Sequence, residues 1–337
     1  MNETIDLESQ ANCDVCTLPD LQNQEDKRGI EINRVGIEGI YFPIKVKMKP
    51  ESEESKYVKS IPVSALVKLF VGLPKNYKGV NMSRFTQSLL EFKEKHDVLS
   101  SNTMPLLLTI LREKLKSKDA YARFEFDYYL NVKAPVSKLE APQRYRCAFT
   151  GIKKNGSYDF ILEVNVIAAS VCPCSREMSL LDNLEYEDIE WHLPVNGDDP
   201  DHAYEKLTKK VFEDASNVEL SLQVGQGAHN QRSNIKVEII AKEGEIIWIE
   251  DLISLVESQA SSPVYPILKR PDEKWVTEHG YNNAKFSEDI TRDIHLALEK
   301  LGTVESWNMK ISNEESIHIY NAVCHHSSEN WKYHTTT

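Results

Sequence analysis

Two cysteines and one histidine stand out in this chain because their side chains bind metals and lie at the ends of strand-like runs. Cys172 and Cys174 are separated only by Pro173, and His229 follows Gly-Ala and precedes Asn-Gln-Arg. Thiolate and imidazole together suit Zn²⁺ and similar borderline metals. A mixed set with too few ligands indicates an open coordination position of the catalytic kind.

The spacing of the two cysteines limits how they can bind one ion. Metal-binding cysteine pairs usually have two or more residues between them, whereas only one residue separates Cys172 from Cys174. We therefore expect one thiol to be the ligand and the other to lie beside it. The alternative is that both are small buried residues after a strand. A lone histidine is more often a surface or core residue, but the dense polar cluster after His229 favours a functional role.

Three further segments carry charged or titratable side chains. Lys269 and Arg270 precede the carboxylate of Glu273, which is typical either of a solvated loop with local ion pairs or of a metal ligand beside cations for an anionic substrate. Glu288 lies near the start of a predicted helix, where a carboxylate suits the helix dipole. His318 alternates with apolar neighbours in a predicted strand, so we expect it on the opposite strand face.

Composition excludes several classes of protein. The chain has 337 residues, 41% of them hydrophobic, and a net charge of −12 with a pI near 5.4. That acidity argues against general binding of nucleic acid or of anionic membranes, and no apolar run is long enough to span a bilayer. The six cysteines without a hydrophobic signal core predict free thiols in a reducing cytosol rather than a disulfide framework.

The pattern of apolar residues predicts the same order of elements twice. Strands and helices alternate as β-β-α-α-β-β in each half, which is an internal repeat. We expect an α+β fold with antiparallel sheets, helix pairs on one face, and open sheet edges that assembly into a closed oligomeric barrel would cover. The predicted strands are residues 30–48, 58–71, 120–132, 144–152, 158–170, 234–241, 304–312 and 316–323. The predicted helices are residues 83–99, 104–116, 248–259 and 283–301.

These elements divide the chain into a tail and two modules. We expect a flexible tail over residues 1–28, a first module over 29–153 and a second over 154–330. An acidic stretch at about 176–226 interrupts the second module. We interpret it as an excursion between two strands, because helical periodicity is confined to a short part of it.

Motifs spread over most of the chain occur together in one known family. They are Leu-Pro-Asp at 18–20, Lys-Gly-Val-Asn-Met-Ser-Arg-Phe at 78–85, Ala-Pro-Val-Ser at 134–137, Cys-Pro-Cys-Ser at 172–175, Gly-Ala-His-Asn-Gln-Arg-Ser at 227–233, Ser-Pro-Val-Tyr through Lys-Arg-Pro-Asp-Glu at 262–273, Phe-Ser-Glu-Asp at 286–289 and Glu-Ser-Ile-His at 315–318. In combination they resemble the type IB GTP cyclohydrolase I family of tunnelling-fold enzymes.

The resemblance implies a fold, an assembly and a reaction. Each subunit would contain two tunnelling-fold repeats, and four subunits would form a homotetramer with active sites at their interfaces. The reaction would convert GTP and water to formate and 7,8-dihydroneopterin triphosphate, the first step toward tetrahydrofolate. A divalent metal, either Zn²⁺, Mn²⁺ or Fe²⁺, is expected, because the ligand set suits all three.

The resemblance also implies roles for individual residues. Cys172, His229 and Glu273 would be the metal ligands, Cys174 a neighbour of the site, Glu288 the anchor of the guanine edge and His318 the acid–base group. The expected triphosphate contacts are Lys269, Arg270, Arg232 and Arg84. These residue types suit the chemistry, since a metal with an open position activates water and a histidine near neutral pKa moves protons.

Two departures from the family pattern keep alternatives open. The acidic stretch lengthens the segment between the cysteine and histidine motifs, and Asn81 stands where a histidine is expected before Met-Ser-Arg. One alternative is the archaeal-type enzyme that releases a cyclic phosphate of dihydroneopterin, which product analysis would distinguish. A non-catalytic pterin- or purine-binding protein and a structural zinc protein are the others, and a structural zinc protein would unfold on chelation without turning over GTP.

Overall fold

A computed structural model of the protein describes residue 22 and residues 24–50, 58–179 and 227–333. These residues form ten strands, which belong to one sheet, and six helices. The strands are β1 (Ile32–Lys47), β2 (Ser60–Leu73), β3 (Val98–Leu99), β4 (Ala120–Lys133), β5 (Glu140–Lys154), β6 (Ser157–Val171), β7 (Asn230–Ala241), β8 (Ser262–Pro263), β9 (Val304–Glu314) and β10 (Ala322–Ser327). The helices are α1 (Ser83–Lys95), α2 (Met104–Leu115), α3 (Pro173–Ser179), α4 (Ile249–Glu257), α5 (Arg270–Asn282) and α6 (Ser287–Leu301).

The sheet is antiparallel apart from one short pairing. Its strand order is β10-β9-β7-β6-β5-β4-β2-β1-β3, with β8 paired to the end of β6. Only the two-residue contact of β1 with β3 is parallel. Neighbouring long strands run in opposite directions, so the end of β6 lies at the same edge of the sheet as the start of β7 and the end of β9. That edge carries most of the candidate site residues.

Alternating apolar residues explain why the helices cover one face of the sheet. In β2 every second residue from Ala65 to Leu73 is buried, the pattern of a strand with one face in the core. The helices place their apolar stripes on that face, as in α6, where Ile290, Ile294 and Leu298 are fully buried. On the other face, Trp331 packs against Ile152, Ile161 and Ile240 in a smaller cluster.

The α+β class and the doubled β-β-α-α-β-β order are confirmed. The first half is β1-β2-α1-α2-β4-β5, and the second runs from β6 and β7 through helices to β9 and β10. The predicted boundary between residues 153 and 154 lies beside the turn that joins β5 to β6, two strands paired in one continuous sheet. Residues 1–21, residue 23 and residues 180–226, which include most of the predicted tail and insertion, lie outside the described residues.

Two elements differ from the sequence prediction. Helix α5 covers residues that the sequence interpretation assigned to a loop, and its start at Arg270-Pro271-Asp272 is the usual signature of a helix N-terminus. The predicted strand at 316–323 is wrong, because β9 extends to Glu314 and β10 pairs with it only from Ala322 onward. Within the described ranges, no helix is long and apolar enough to cross a membrane.

Candidate active site

Cys172 and His229 lie side by side at the edge of the sheet. The ladder of β6 with β7 ends at the pair Val171 and Asn230, and one step further the Cys172 N–H donates a hydrogen bond of 3.2 Å to the His229 carbonyl. The backbone N–H of His229 donates to the Ser175 hydroxyl at 3.2 Å. The pair that the sequence separates by more than fifty residues is therefore held by neighbouring strands.

The sequence around Cys172 explains why the strand ends there. Pro173 has no N–H for the ladder, and its fixed φ suits the first position of helix α3. The Cys172 carbonyl accepts the Arg176 N–H at 3.1 Å and the Ser175 hydroxyl at 3.2 Å. These bonds fix the backbone of Cys172, and its half-buried thiol is not part of a disulfide.

Cys174 lies in the first turn of α3, next to Cys172. The residue is exposed overall, but its thiol is partly buried. This partial burial, and to a smaller extent the proximity of Cys172, raises the pKa of Cys174. A raised pKa disfavours the thiolate form that binds metals. The two thiols lie beside each other, and the assignment of Cys172 as the ligand stays a prediction.

Helix α5 carries Lys269, Arg270 and Glu273 at its start, and the buried carboxylate of Asp272 fixes its position. Asp272 accepts the backbone N–H groups of Val136 and Ser137, in the turn between β4 and β5, at 2.8 Å each. It also accepts the Lys269 N–H at 2.8 Å. Burial alone would raise the pKa of Asp272, but the hydrogen bonds from Ser137, Lys269 and Val136 outweigh it and lower that pKa. The sequence interpretation missed this residue, although an acidic residue in a first helical turn after proline was the available signal.

The other end of α5 packs on the end of β6. A side chain at Gly280 would meet the Val171 Cγ2 at 3.2 Å, so helix and strand are in close contact directly before Cys172. Glu273 is seven residues earlier in α5 and exposed, which places it about 10 Å along the helix axis from Gly280. In the part of the chain that the structure describes, no three His, Cys, Asp or Glu side chains gather as a metal site. The structure therefore joins Cys172 with His229 and does not gather Glu273 with them as a third ligand among the described residues.

Glu288 lies in the first turn of α6, close to the end of β6. The Lys285 N–H donates to the Val171 carbonyl at 3.0 Å, three residues before Glu288. The Glu288 carboxylate is exposed and accepts the Ser287 hydroxyl at 2.9 Å. An accessible carboxylate is thus available beside the Cys172–His229 pair.

His318 lies in an exposed loop between β9 and β10, not on a strand as the sequence predicted. Its ring stacks on Tyr320 with 5.0 Å between ring centroids, and Ile317 and Ile319 are 63% and 106% exposed. Alternation of apolar residues suggested a strand, but no strand of the described chain pairs with residues 315–321. The loop reaches the pair through Ser316, whose hydroxyl lies 3.3 Å from the His229 Nδ1.

Arg232 and Arg84, two of the three candidate arginines, lie at different ends of the sheet. Arg232 is exposed on β7, three residues after His229. Arg84 begins α1, and its Nη1 donates to the Lys114 carbonyl at 3.1 Å. Across neighbouring strands, Val71 of β2 pairs with Ala120, Ala120 pairs with Lys153, and Lys153 pairs with Tyr158. This register places α1, which follows β2, level with Tyr158 at the start of β6.

Arg84 is therefore separated from Cys172 by the length of β6. That strand has 15 residues, which at about 3.3 Å per residue is roughly 50 Å. Within one chain, the structure does not bring Arg84 or the neighbouring Asn81 to the other candidate residues. Both instead line a cleft with Tyr77 and Lys116.

Comparison with known proteins gives one consistent result. The family model described as type I GTP cyclohydrolase FolE2 matches residues 18–324. The GTP cyclohydrolase FolE2 of Syntrophus aciditrophicus is 34% identical over 310 residues, covering 92% of this chain and 99% of that protein. The GTP cyclohydrolase FolE2 of an Azoarcus species is 35% identical over 306 residues, covering 90% and 93%. Among solved structures, the uricase of Arthrobacter globiformis matches with a TM-score of 0.49 at 5% identity, over 90% of this chain and 96% of that one.

Proposed function

Because the chain belongs to the type I GTP cyclohydrolase family represented by FolE2, we propose that it is a GTP cyclohydrolase I. It would convert GTP and water to formate and 7,8-dihydroneopterin triphosphate, the first step of tetrahydrofolate biosynthesis. The observation that carries the proposal is the backbone contact between Cys172 and His229, which places a thiol and an imidazole at one sheet edge. Glu288 and the loop of His318 border the same edge.

The donor set at this edge suits a divalent metal. Cys172 and His229 would supply two ligands, and Glu273 is the carboxylate on the nearby start of α5 that would supply the third. Zn²⁺, Mn²⁺ and Fe²⁺ are all compatible with such a mixed set. A metal held there would activate water near neutral pH for attack on C8 of the purine. The reducing cytosol that we propose as the compartment would keep Cys172 as a thiol, and the four described cysteines are free.

Residues of the chain would bind and orient the nucleotide around that position. The Glu288 carboxylate can accept two N–H groups from the guanine edge, because it is exposed and, among the described residues, accepts a hydrogen bond only from Ser287. His318 would transfer protons while the imidazole ring of the purine opens and the new ring closes. Lys269, Arg270 and Arg232 are exposed cations on the same edge and would neutralise the triphosphate.

A second copy of the chain would complete the site. The loop of His318 exposes Ile317, Ile319 and Tyr320 to solvent, which leaves apolar area beside the candidate residues. Arg84 lies at the opposite end of the same sheet. We therefore place the site at an interface in a homotetramer, where one chain contributes Cys172 and His229 and another contributes the cleft of Arg84.

The test of the activity is direct. Protein reconstituted separately with Zn²⁺, Mn²⁺ and Fe²⁺ is incubated with GTP, and formate and pterin fluorescence are followed. Product analysis should give the triphosphate, while a cyclic phosphate would identify the archaeal-type reaction. An absence of product with all three metals would refute the proposed activity.

The shared site has its own test. Arg84→Ala and Cys172→Ala proteins, each inactive by expectation, are mixed, unfolded together and refolded. Mixed oligomers should recover part of the activity, because some interfaces then contain both intact residues. Refolding Arg84→Ala with the Arg84→Ala/Cys172→Ala double variant is the control and should recover none. Equal activity in mixture and control would place the whole site within one chain.

A further inference from the structure

A chain of buried polar side chains runs beneath the candidate site. The Ser233 hydroxyl donates to the Asn313 Oδ1 at 2.7 Å, and the Asn313 Nδ2 donates to the Ser170 hydroxyl at 3.3 Å. The Ser170 hydroxyl lies 3.2 Å from the Gln231 Oε1, and the Gln231 Nε2 donates to the Glu315 carboxylate. Ser170 and Ser233 are fully buried, and Asn313 and Gln231 are 2% and 9% exposed.

The donors and acceptors of these side chains fix the orientation of the Gln231 amide in the network. An ionised carboxylate can only accept hydrogen bonds, so the amide nitrogen of Gln231 must face Glu315 and its oxygen must face Ser170. Burying these groups is unfavourable unless they are paired, and the Ser170 hydroxyl also lies 3.0 Å from the Lys285 carbonyl. The chain ends on the Glu315 Oε2, which is buried and has no hydrogen-bond partner among the described residues.

The network joins the three segments that carry the candidate catalytic groups. Ser170 lies two residues before Cys172 in β6, and Gln231 lies two residues after His229 in β7. Glu315 opens the loop that carries His318. A second side-chain contact of that loop is the exposed pair of Ser316 and His229, directly before β7.

We infer that Gln231 is a positioning residue, which holds the Glu315 carboxylate and with it the loop of His318 against the Cys172–His229 pair. This inference rests on the proposed function for its effect on turnover, but the position of the loop can be measured without activity. Gln231 touches no reacting atom in this role. It acts through Glu315, which opens the loop of His318.

The variant Gln231→Glu tests the inference because it places one carboxylate against another. We expect kcat/KM for GTP to fall about 100-fold, the loss that a misplacement near 1 Å can cause. The double variant Gln231→Glu/Glu315→Gln restores one donor facing one acceptor and should recover at least about tenfold of the loss. Failure of the double variant to recover, or an unchanged Gln231→Glu protein, would overturn the inference.

A matched control lies on β7, which carries Gln231, and on β9, which Glu315 directly follows. The Asn234 Nδ2 donates to the Glu314 Oε1 at 2.8 Å on the exposed side of the sheet. Asn234→Asp makes the same change of amide to carboxylate three residues further along β7, where solvent screens the resulting repulsion. Turnover in that variant should stay within about twofold of the unmodified protein. A loss equal to that of Gln231→Glu would show that the effect is not specific to the network.

Hydrogen–deuterium exchange separates positioning from catalysis. Residues 315–321 should exchange faster in Gln231→Glu, and return toward the unmodified rate in the double variant. If Gln231→Glu does not fold, Gln231→Met replaces it, since methionine fills the volume and forms neither hydrogen bond. Unchanged exchange of the loop in a folded variant would overturn the inference. If the unmodified protein lacks turnover, the proposed function fails while the exchange experiment still decides the role of Gln231.

Discussion

Gly280 offers a graded perturbation of the contact between α5 and β6. Its Cα approaches Val171 so closely that an added Cβ would lie 3.2 Å from the Val171 Cγ2 and 3.8 Å from the Ser262 Cβ. Val171 is 5% exposed and precedes Cys172, while α5 carries Glu273. A larger residue at position 280 must therefore shift the helix, the strand end or both, by a few tenths of an ångström for alanine.

Two opposing effects determine the magnitude for Gly280→Ala. Alanine favours the helix over glycine by about 1 kcal/mol. Overpacking at a tight contact costs about 1–3 kcal/mol. We expect the free energy of unfolding to fall by about 0–2 kcal/mol, the difference of the two terms. Gly280→Val adds two further methyl groups to the Cβ that alanine introduces at this contact. We expect it to lower the free energy of unfolding by about 3 kcal/mol.

Catalysis should respond more than stability. A displacement of a few tenths of an ångström between Glu273 and Cys172 should lower kcat/KM about tenfold in Gly280→Ala. Urea unfolding gives the stability, and steady-state turnover of GTP in metal-reconstituted protein gives the activity. Glu278→Ala, on the exposed side of the same helix, is the control and should change stability by less than about 0.5 kcal/mol. A Gly280→Val protein with unchanged stability and turnover would refute the packing of α5 on β6.

Five other substitutions have defined outcomes. Cys172→Ala should abolish metal retention and turnover with little change in unfolding temperature, whereas Cys174→Ala should keep the metal in a mass-spectrometric assay; loss of metal in only the second variant would exchange their roles. The lowered pKa of Asp272 contributes stability that is present above the ordinary carboxyl pKa near 3.9 and lost as the pH falls below it. Asp272→Asn should therefore lower the unfolding temperature at pH 7 and flatten its decline at acid pH, and an unchanged acid limb would contradict this. His318→Asn should lower kcat about 100-fold without changing circular dichroism, since its loop is exposed, and normal turnover would remove it from the reaction. Trp331→Ala should cost about 3–5 kcal/mol in urea unfolding, and a cost below about 1 kcal/mol would show that its cluster is not formed.

Much of the fold follows from local pattern. Alternating apolar residues in β2 and spacings of three and four in α6 predicted both elements close to their observed ends, because burial on one face imposes the period. The pattern failed at residues 316–323, where exposed Ile317 and Ile319 alternate as they would in a strand. Periodicity reports which residues are apolar, and only the pairing of strands shows whether they are covered.

The candidate site divides in the same way. The sequence identified Cys172 and His229 from side-chain chemistry and motif, since metal-binding groups are recognisable one residue at a time. It could not show that Asp272 ties α5 to a distant turn, because that carboxylate acts through backbone N–H groups of Val136 and Ser137 that any residue types could supply.

The sequence by itself determined the residue types and the repeated order of elements, and it predicted that the cysteine and histidine motifs belong to one site. Only the tertiary structure decided which residues lie together within a chain. Strand register brings Cys172 to His229 across a long insertion and takes Arg84 to the far end of β6. Register depends on hydrogen bonds between strands distant in sequence, so no local spacing specifies it. The Cys172–His229 pair can therefore be predicted from the sequence. Its position, where the end of β6 meets the start of β7, is a property of the fold.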